Sequence, residues 1–193
     1  MRCSAFTGAA FVYLVFIVPV LAAQSVPQLD VLLRALRSDA TSDRASTELL
    51  NLARSSSEVR QRLVNELPPL IAIGPRGNEK PWQNAAQLAG SLRIVEAVPA
   101  LTKWIVLTDG TLTISRYERL GDNIAGQNLA RIGDPAIPSL LVVLTRDDVD
   151  ERTEAIRVLK LIASPRAKDA LRTQLRRETD PKLRQVIENA LAR

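Results

Sequence analysis

The feature that most constrains this chain is a helical pattern that occurs twice near its C-terminus. The pattern consists of an Asp, an Arg and three apolar residues, and each member returns 32 positions later. The pairs are Asp148 and Asp180, Arg152 and Arg184, Ala155 and Ile187, Val158 and Ala190, and Leu159 and Leu191. The apolar members share one helix face because they are spaced by three and four residues, and the Asp stands where a carboxylate caps a helix N-terminus. Each copy therefore predicts an amphipathic helix with a defined start.

A second helix is predicted between the two copies. Residues 166–177 have one face of Ala and Leu and another face with three cations spaced four apart, which are Lys168, Arg172 and Arg176. Two helices in about 30 residues are the unit of an α-solenoid, in which one pair cannot bury its own apolar face and neighbouring pairs stack. The sequence therefore predicts an all-α fold.

The second helix of this unit also occurs upstream. The segments 97–101, 136–140 and 167–171 share Ala at the first position and Leu at the fifth, at intervals of 39 and 31 residues. Gly90 and Gly133 follow apolar runs, where a helix C-terminus favours a left-handed residue. These motifs resemble the HEAT-repeat family, in its short form related to the bilin-lyase HEAT-like repeats. The resemblance covers about residues 41–193 and is strongest from residue 127.

The resemblance implies an α-solenoid, wound as a right-handed superhelix of about four or five helical pairs. It also implies that the Arg at positions 152 and 184 contributes to a polar ladder between successive repeats. In the same register the upstream positions hold Trp82 and Asp122, and Arg44 is a candidate to restore the ladder at the front.

The N-terminus has the pattern of an export signal. Met1 and Arg2 are followed by an uncharged apolar run, and the small residues Ala22 and Ala23 offer a cleavage site. We therefore predict a signal peptide at 1–23, one HEAT-like domain at 24–193, and a periplasmic or secreted protein. The alternative is an uncleaved membrane anchor, since the uncharged run can be extended to the length that spans a bilayer.

Residue types that are missing exclude several chemistries. The chain has no His, and its only Cys is Cys3, inside the predicted leader. Catalysis by Ser-His-Asp or Cys-His groups and zinc sites built on Cys or His are therefore excluded. We find no catalytic motif and no cluster with metal-ligand spacing, and we expect no enzyme activity, metal or cofactor.

Two stretches are predicted to be irregular. Pro68 and Pro69 disfavour continuation of the helix before them, and residues 73–78 have the composition of a loop. Residues 107–113 contain Asp-Gly between alternating Leu and Thr, which fits either a hairpin or a plain loop between helices. Insertions of this kind in solenoids often lie where binding occurs.

The candidate binding residues are aromatic or basic. Trp82 is predicted to stand on the solvent side of its helix as a binding anchor, or else to pack across the Pro-rich segment 68–81. Arg116 and Tyr117 form a second candidate patch. The stripe of Lys168, Arg172 and Arg176 is either a binding surface or the solvated face of an amphipathic helix.

The function predicted is that of an exported module that binds or scaffolds another protein. Stacked pairs present an extended concave surface, which suits a partner chain better than a small substrate. Two alternatives stay open: a small-ligand lyase of the bilin-lyase HEAT-like kind, and a binder of an anionic surface or polymer. We expect no nucleic-acid partner, and membrane contact only if the leader is retained.

Overall fold

The computed structural model describes residues 28–75, 79–106 and 123–192, and these residues form ten α-helices. The helices are α1 (28–36), α2 (Ser42–Ser55), α3 (Ser57–Ile73), α4 (Glu79–Ser91), α5 (Val98–Lys103), α6 (Ile124–Ile132), α7 (Ile137–Val143), α8 (Val149–Ile162), α9 (Pro165–Arg177) and α10 (Pro181–Leu191). Short 3-10 turns at Val95–Ala97 and Asp134–Ala136 lead into α5 and α7. No strand occurs in the described residues, and the all-α prediction is confirmed.

The helices form two layers. The first-helix layer contains α2, α4, α6, α8 and α10, each packed on the next, and the second-helix layer contains α3, α5, α7 and α9 in the same succession. The pairs are thus α2–α3, α4–α5, α6–α7 and α8–α9, with α10 as the first helix of a following unit. Contacts between neighbouring repeats are what builds an α-solenoid, and the predicted fold class is confirmed. The hand of the superhelix stays a prediction.

The repeated apolar face lies in the core, as the sequence predicts. Ala155 and Ile187 are both fully buried, and Leu159 is equally inaccessible. The helix starts are also confirmed, because the Asp148 carboxylate accepts hydrogen bonds from the backbone N–H groups of residues 150 and 151. Asp180 caps α10 in the same way. Each cap satisfies N–H groups that have no partner inside their own helix.

The predicted break at Pro68 and Pro69 is wrong, because α3 continues through both prolines to Ile73. Leu67 and Ile71, on either side of the prolines, are fully buried, so tertiary packing outweighs the lost backbone hydrogen bonds. The end of α3 is held by side chains from the next repeat. Trp82 donates its indole N–H to the carbonyl of Ile71, at 3.1 Å, and the Lys103 ammonium donates to the carbonyl of residue 72, at 3.2 Å.

The two glycines behave differently from each other. Gly133 ends α6 with a φ of 85°, which confirms its predicted role. Gly90, in contrast, lies inside α4, and the expectation that it ends the helix is wrong. A Cβ at Gly90 would stand 2.2 Å from the side-chain oxygen of Asn128 in α6. This glycine is required because two first-layer helices approach closely there.

Three predictions concern residues outside the described part of the chain. The leader at 1–23, the stretch 107–113 and the patch of Arg116 and Tyr117 all lie outside the residues that the structure describes. Within the described residues, no helix has the length and apolar character needed to cross a membrane.

Candidate protein-binding face

The outer side of the second-helix layer carries exposed aliphatic side chains. In α7, Ile137, Leu140 and Val143 are buried. Val142 lies on the opposite side of the helix, and Leu141 lies at the edge of the buried face, one turn after Ile137. Leu141 is 41% exposed and Val142 is 60% exposed. Burying such a side chain typically stabilises by about 1.5–3 kcal/mol, so the two residues offer binding energy that the fold itself does not use.

Cations flank these aliphatic residues on the neighbouring helices. In the repeat register, Val142 corresponds to Lys103 in α5, and Leu141 corresponds to Arg172 in α9. Both neighbouring helices pack against α7, and both cationic residues are exposed. We call the surface formed by Lys103, Leu141, Val142, Arg172 and Arg176 the second-helix face.

Lys103 is held in a defined position on this face. Its ammonium lies 5.1 Å from the centre of the Trp104 ring and donates to the carbonyl that ends α3. Both contacts are favourable, since an aromatic face and a helix C-terminus attract cations. The side chain therefore presents a fixed positive charge beside α7.

The predicted stripe on α9 divides into two parts. Arg172 and Arg176 are exposed, and within the described residues their side-chain hydrogen bonds go to their own helix, from Arg172 to the Asp169 carboxylate at 2.8 Å and from Arg176 to the Thr173 hydroxyl at 3.2 Å. Lys168 is half-buried instead and borders a cavity of about 120 Å³ together with residues of α8 and α10. The stripe thus supplies two cations to the second-helix face, not three.

Helix α9 carries a net positive charge. It contains five cationic residues and the single anion Asp169. Of the cations, Arg166, Lys168, Arg176 and Arg177 form no ion pair with any residue in the described part of the chain. An uncompensated charge of this kind attracts an anionic partner and speeds its association.

Trp82 is not on the solvent side of its helix, and its prediction as an exposed anchor is wrong. Only 2% of the residue is exposed, and its indole N–H is bonded to α3. The alternative, packing against the segment that contains the prolines, agrees with this contact. The register argument failed because α4 is buried on most of its circumference, between α2, α3 and α6.

A buried polar node joins α8, α9 and α10. Glu178, which is 5% exposed, receives hydrogen bonds from Arg152, from the Gln174 amide and from the backbone N–H groups of residues 179 and 180. Arg184 donates to the carbonyls of residues 175 and 178. Burial alone would raise the pKa of Glu178, but the hydrogen bonds from Arg152, from the backbone of residue 180 and from Gln174 lower it to about 2. The two repeated arginines therefore act in one node.

Arg44 does not extend this ladder to the front of the chain. It is exposed and pairs with Glu48 one turn along the same helix, so that interpretation is wrong. Asn84 links the first two repeats instead, because its amide donates to the hydroxyl of Ser42, at 3.0 Å, and to the carboxylate of Asp43, at 2.8 Å.

A third polar contact links α5, α6 and α8. The Asn123 amide donates to the carbonyl of Ile105, at 2.9 Å, and to the carboxylate of Glu154, at 2.8 Å, while its oxygen caps α6. Sequence reasoning missed Asn84, Asn123 and Glu154. For Asn84 and Glu154 the available signal was a polar residue within an otherwise apolar helix face, which in a buried position requires a partner. For Asn123 it was an Asn directly before a helix, where this residue is a common N-cap.

A cleft lies between α1 and α3. Its volume is about 440 Å³, and it is lined by Asp30, Leu33, Arg34, Arg37, Arg62 and Glu66. Arg62 pairs with Asp30 and Glu66, and Arg37 pairs with Glu66 at 3.1 Å. These pairs connect α1 to α3 at the surface, where exposed ion pairs contribute little to stability. No group of His, Cys, Asp and Glu able to hold a metal occurs in the described part of the chain.

Comparison with known proteins agrees with the architecture. Residues 123–192 match the family model of HEAT repeats, which covers α6 to α10. The match supports a HEAT-repeat family and falls where the sequence resemblance is strongest. No curated protein matches the chain.

Proposed function

Since the chain carries HEAT repeats, we propose that it is an exported module that binds another protein through the second-helix face. HEAT repeats generally mediate protein interaction or scaffolding, and this chain uses its solenoid in the same way. It has no catalytic role. The leader at 1–23 directs it to the periplasm or the medium and is then removed.

The observation that carries the proposal is the exposure of Leu141 and Val142 between cations. The core positions of α7 are already occupied by aliphatic residues that are almost completely buried. Two further aliphatic residues nevertheless face outward, at the centre of a layer whose neighbours are charged. An apolar centre with a polar rim is the usual composition of a protein-binding surface.

A second candidate function is attachment to an anionic surface or polymer. The observation in its favour is the charge of α9, which has five cations and one anion. Such attachment would depend on charge alone, because a polymer of phosphate or sulfate groups gains nothing from Leu141. The two functions therefore differ in whether the aliphatic residues contribute to binding.

Site-specific photo-cross-linking tests the proposed face. A photoreactive residue at position 141 is compared with one at position 161, because Leu161 is a 42% exposed leucine in the first-helix layer and Leu141 is 41% exposed. Both variants are expressed in the native host. We expect one protein to be cross-linked stoichiometrically from position 141 and not from 161. Equal products from both positions, or none from 141, would contradict the proposal.

Export is tested separately by the intact mass of the protein from its native host. Cleavage after the small residues near Ala22 or Ala23 predicts a mature chain that lacks the leader. A protein that retains Met1 to Leu21 would favour the membrane anchor instead.

A further inference from the structure

We propose that the cavity between α8, α9 and α10 is a binding site for a carboxylate attached to a short aliphatic group. Two lysines at its edge, Lys160 and Lys168, bind the carboxylate, and the apolar walls of the cavity take up the aliphatic group. The site shares no residue with the second-helix face, so the inference stands or falls independently of the proposed function.

The first step is the shape of the cavity. Its volume is about 120 Å³, and it is lined by Leu159, Lys160, Ala163, Lys168, Leu171 and Ala190. Leu159 and Leu171 are at most 1% exposed and form its inner wall. Lys160, Ala163 and Lys168 are accessible to solvent and form its edge. Since an apolar cavity of about 150 Å³ can hold benzene, this one has room for an aliphatic group of about four carbon atoms.

The second step is the environment of the two lysines. Lys160 lies in the last turn of α8, and Lys168 lies near the start of α9. Both are half-buried, and within the described part of the chain neither side chain forms an ion pair or donates a hydrogen bond. A partly buried cation without a partner is unfavourable, and two cations at one cavity repel each other. An anion bound at this edge reduces both costs.

The third step is that the carboxylates of the three helices are placed elsewhere. Those at the start of α8 and of α10 lie at the opposite ends of these helices from Lys160 and Ala190. Glu188 is exposed and pairs with neither lysine. The remaining acids of this region pair with arginines, Glu154 with Arg157, Asp169 with Arg172, and Glu178 with Arg152. A carboxylate at the cavity must therefore come from the ligand.

The fourth step is the choice among anions. Phosphate and sulfate carry polar oxygens on every side, and apolar walls leave those oxygens without hydrogen bonds, which is costly. A carboxylate on an aliphatic group has its charge at one end only, so it matches a cavity with cations at the edge and leucines inside. Such a group occurs in a free short-chain acid and at the C-terminal end of a peptide with a small aliphatic last residue.

Titration of the isotope-labelled full chain with butyrate, followed by NMR, tests the inference. Butyrate carries its carboxylate on a propyl group, and butyramide is the matched control with the same shape and no charge. We expect saturable binding of butyrate with a Kd in the millimolar range, as is usual for so small a ligand. The amides that shift should lie in residues 159–168 and at Ala190, and butyramide should bind about tenfold more weakly. Acetate, which lacks most of the apolar part, should also bind about tenfold more weakly than butyrate.

Variants of the chain identify the groups that bind. Lys160→Met and Lys168→Met remove the charge and keep an unbranched side chain, and each is expected to weaken butyrate about tenfold. The matched control is Arg172→Met, at a cation of the same helix α9 that does not line the cavity, and it should leave the affinity unchanged. Circular dichroism melting of each variant shows whether it is folded.

Two further probes identify the source of the carboxylate. They are the tripeptide Gly-Gly-Val with a free C-terminus and the same peptide with a C-terminal amide. Tighter binding of the free tripeptide than of butyrate and of the amide assigns the cavity to the end of a peptide chain. Tighter binding of butyrate than of either peptide assigns it to a free short-chain acid.

Three results would overturn the inference: equal affinity for butyrate and butyramide, equal affinity of the parent and of the two folded lysine variants, or shifts that do not saturate and spread over the surface of the chain. Equal affinity for acetate and butyrate would also contradict it, because the apolar walls would then contribute nothing. Cross-linking from position 141 reports on the proposed function alone, so a failure there leaves this inference untouched.

Discussion

Replacement of Glu178 by Gln is expected to remove most of the acid sensitivity that the node at α8, α9 and α10 gives to the chain. Glu178 is 5% exposed, and its hydrogen bonds lower its pKa from 4.5 to about 2. Because one pKa unit corresponds to about 1.4 kcal/mol, the ionised carboxylate contributes about 3 kcal/mol to the free energy of unfolding. This is a substantial part of the stability of an ordinary domain.

The sign of the pH dependence follows from the lowered pKa. The contribution is complete above the unfolded-state pKa of about 4.5, because the carboxylate is then ionised in both the folded and the unfolded chain. As the pH falls from about 5 to about 2, the unfolded chain takes up the proton first, and the stabilisation is lost. We therefore expect the parent and Glu178→Gln to differ by about 3 kcal/mol near neutral pH and to converge near pH 2.

Urea denaturation monitored by circular dichroism, at a series of pH values, measures this difference directly. The matched control is Glu151→Gln in α8, because Glu151 also pairs with an arginine, Arg146, but at a more exposed position. We expect less than about 1 kcal/mol for that exposed pair. If the unfolding free energies of the parent and Glu178→Gln run parallel from neutral pH to pH 2, the carboxylate is not held ionised by the node.

Three further substitutions test the packing. Ala155→Asp places a carboxylate at a fully buried position and should lower the free energy of unfolding by several kcal/mol. The control Ala192→Asp, at an exposed residue, should not. An unchanged melting temperature for Ala155→Asp would contradict the register. Gly90→Ala should lower the free energy of unfolding by about 1–3 kcal/mol, because the new methyl group meets Asn128. This loss is expected despite the higher helix propensity of Ala. A raised melting temperature in calorimetry would refute the close approach of the two helices. Trp82→Phe should cost about 1 kcal/mol in urea denaturation through the lost bond to α3, and a neutral result would show that the bond contributes nothing.

The parts of the fold that sequence could predict are those set by local periodicity. Two local features repeat within the chain: the apolar spacing at Ala155 and Ile187, and the capping residues Asp148 and Asp180. The second copy supports the interpretation of the first. The match to the family model of HEAT repeats falls on residues 123–192, which contain this repeat. Local pattern and tertiary structure agree over these residues.

The features that sequence could not predict depend on contacts between repeats. The helix through Pro68 is retained because of buried neighbours, and Trp82 is buried because three helices surround α4. Gly90 is read as a helix end from its local context, although its role is set by Asn128, 38 residues away. The candidate binding residues divide in the same way. The exposure of Arg172 and Arg176 followed from periodicity, whereas the half-burial of Lys168 and the exposure of Leu141 and Val142 depend on the packed layers.

The contact of Asn123 with Ile105 has a consequence for how this chain tolerates change in length. The two residues stand on either side of positions 107–122, and a hydrogen bond of 2.9 Å joins them. The same amide reaches Glu154 in the next repeat, so this one residue adds a polar link to the packing of α6 against α5 and α8. Contacts that align these repeats are therefore made by residues on either side of positions 107–122. Evolution can lengthen, shorten or exchange that stretch without rebuilding the solenoid, and a protein engineer can insert a foreign sequence at the same point.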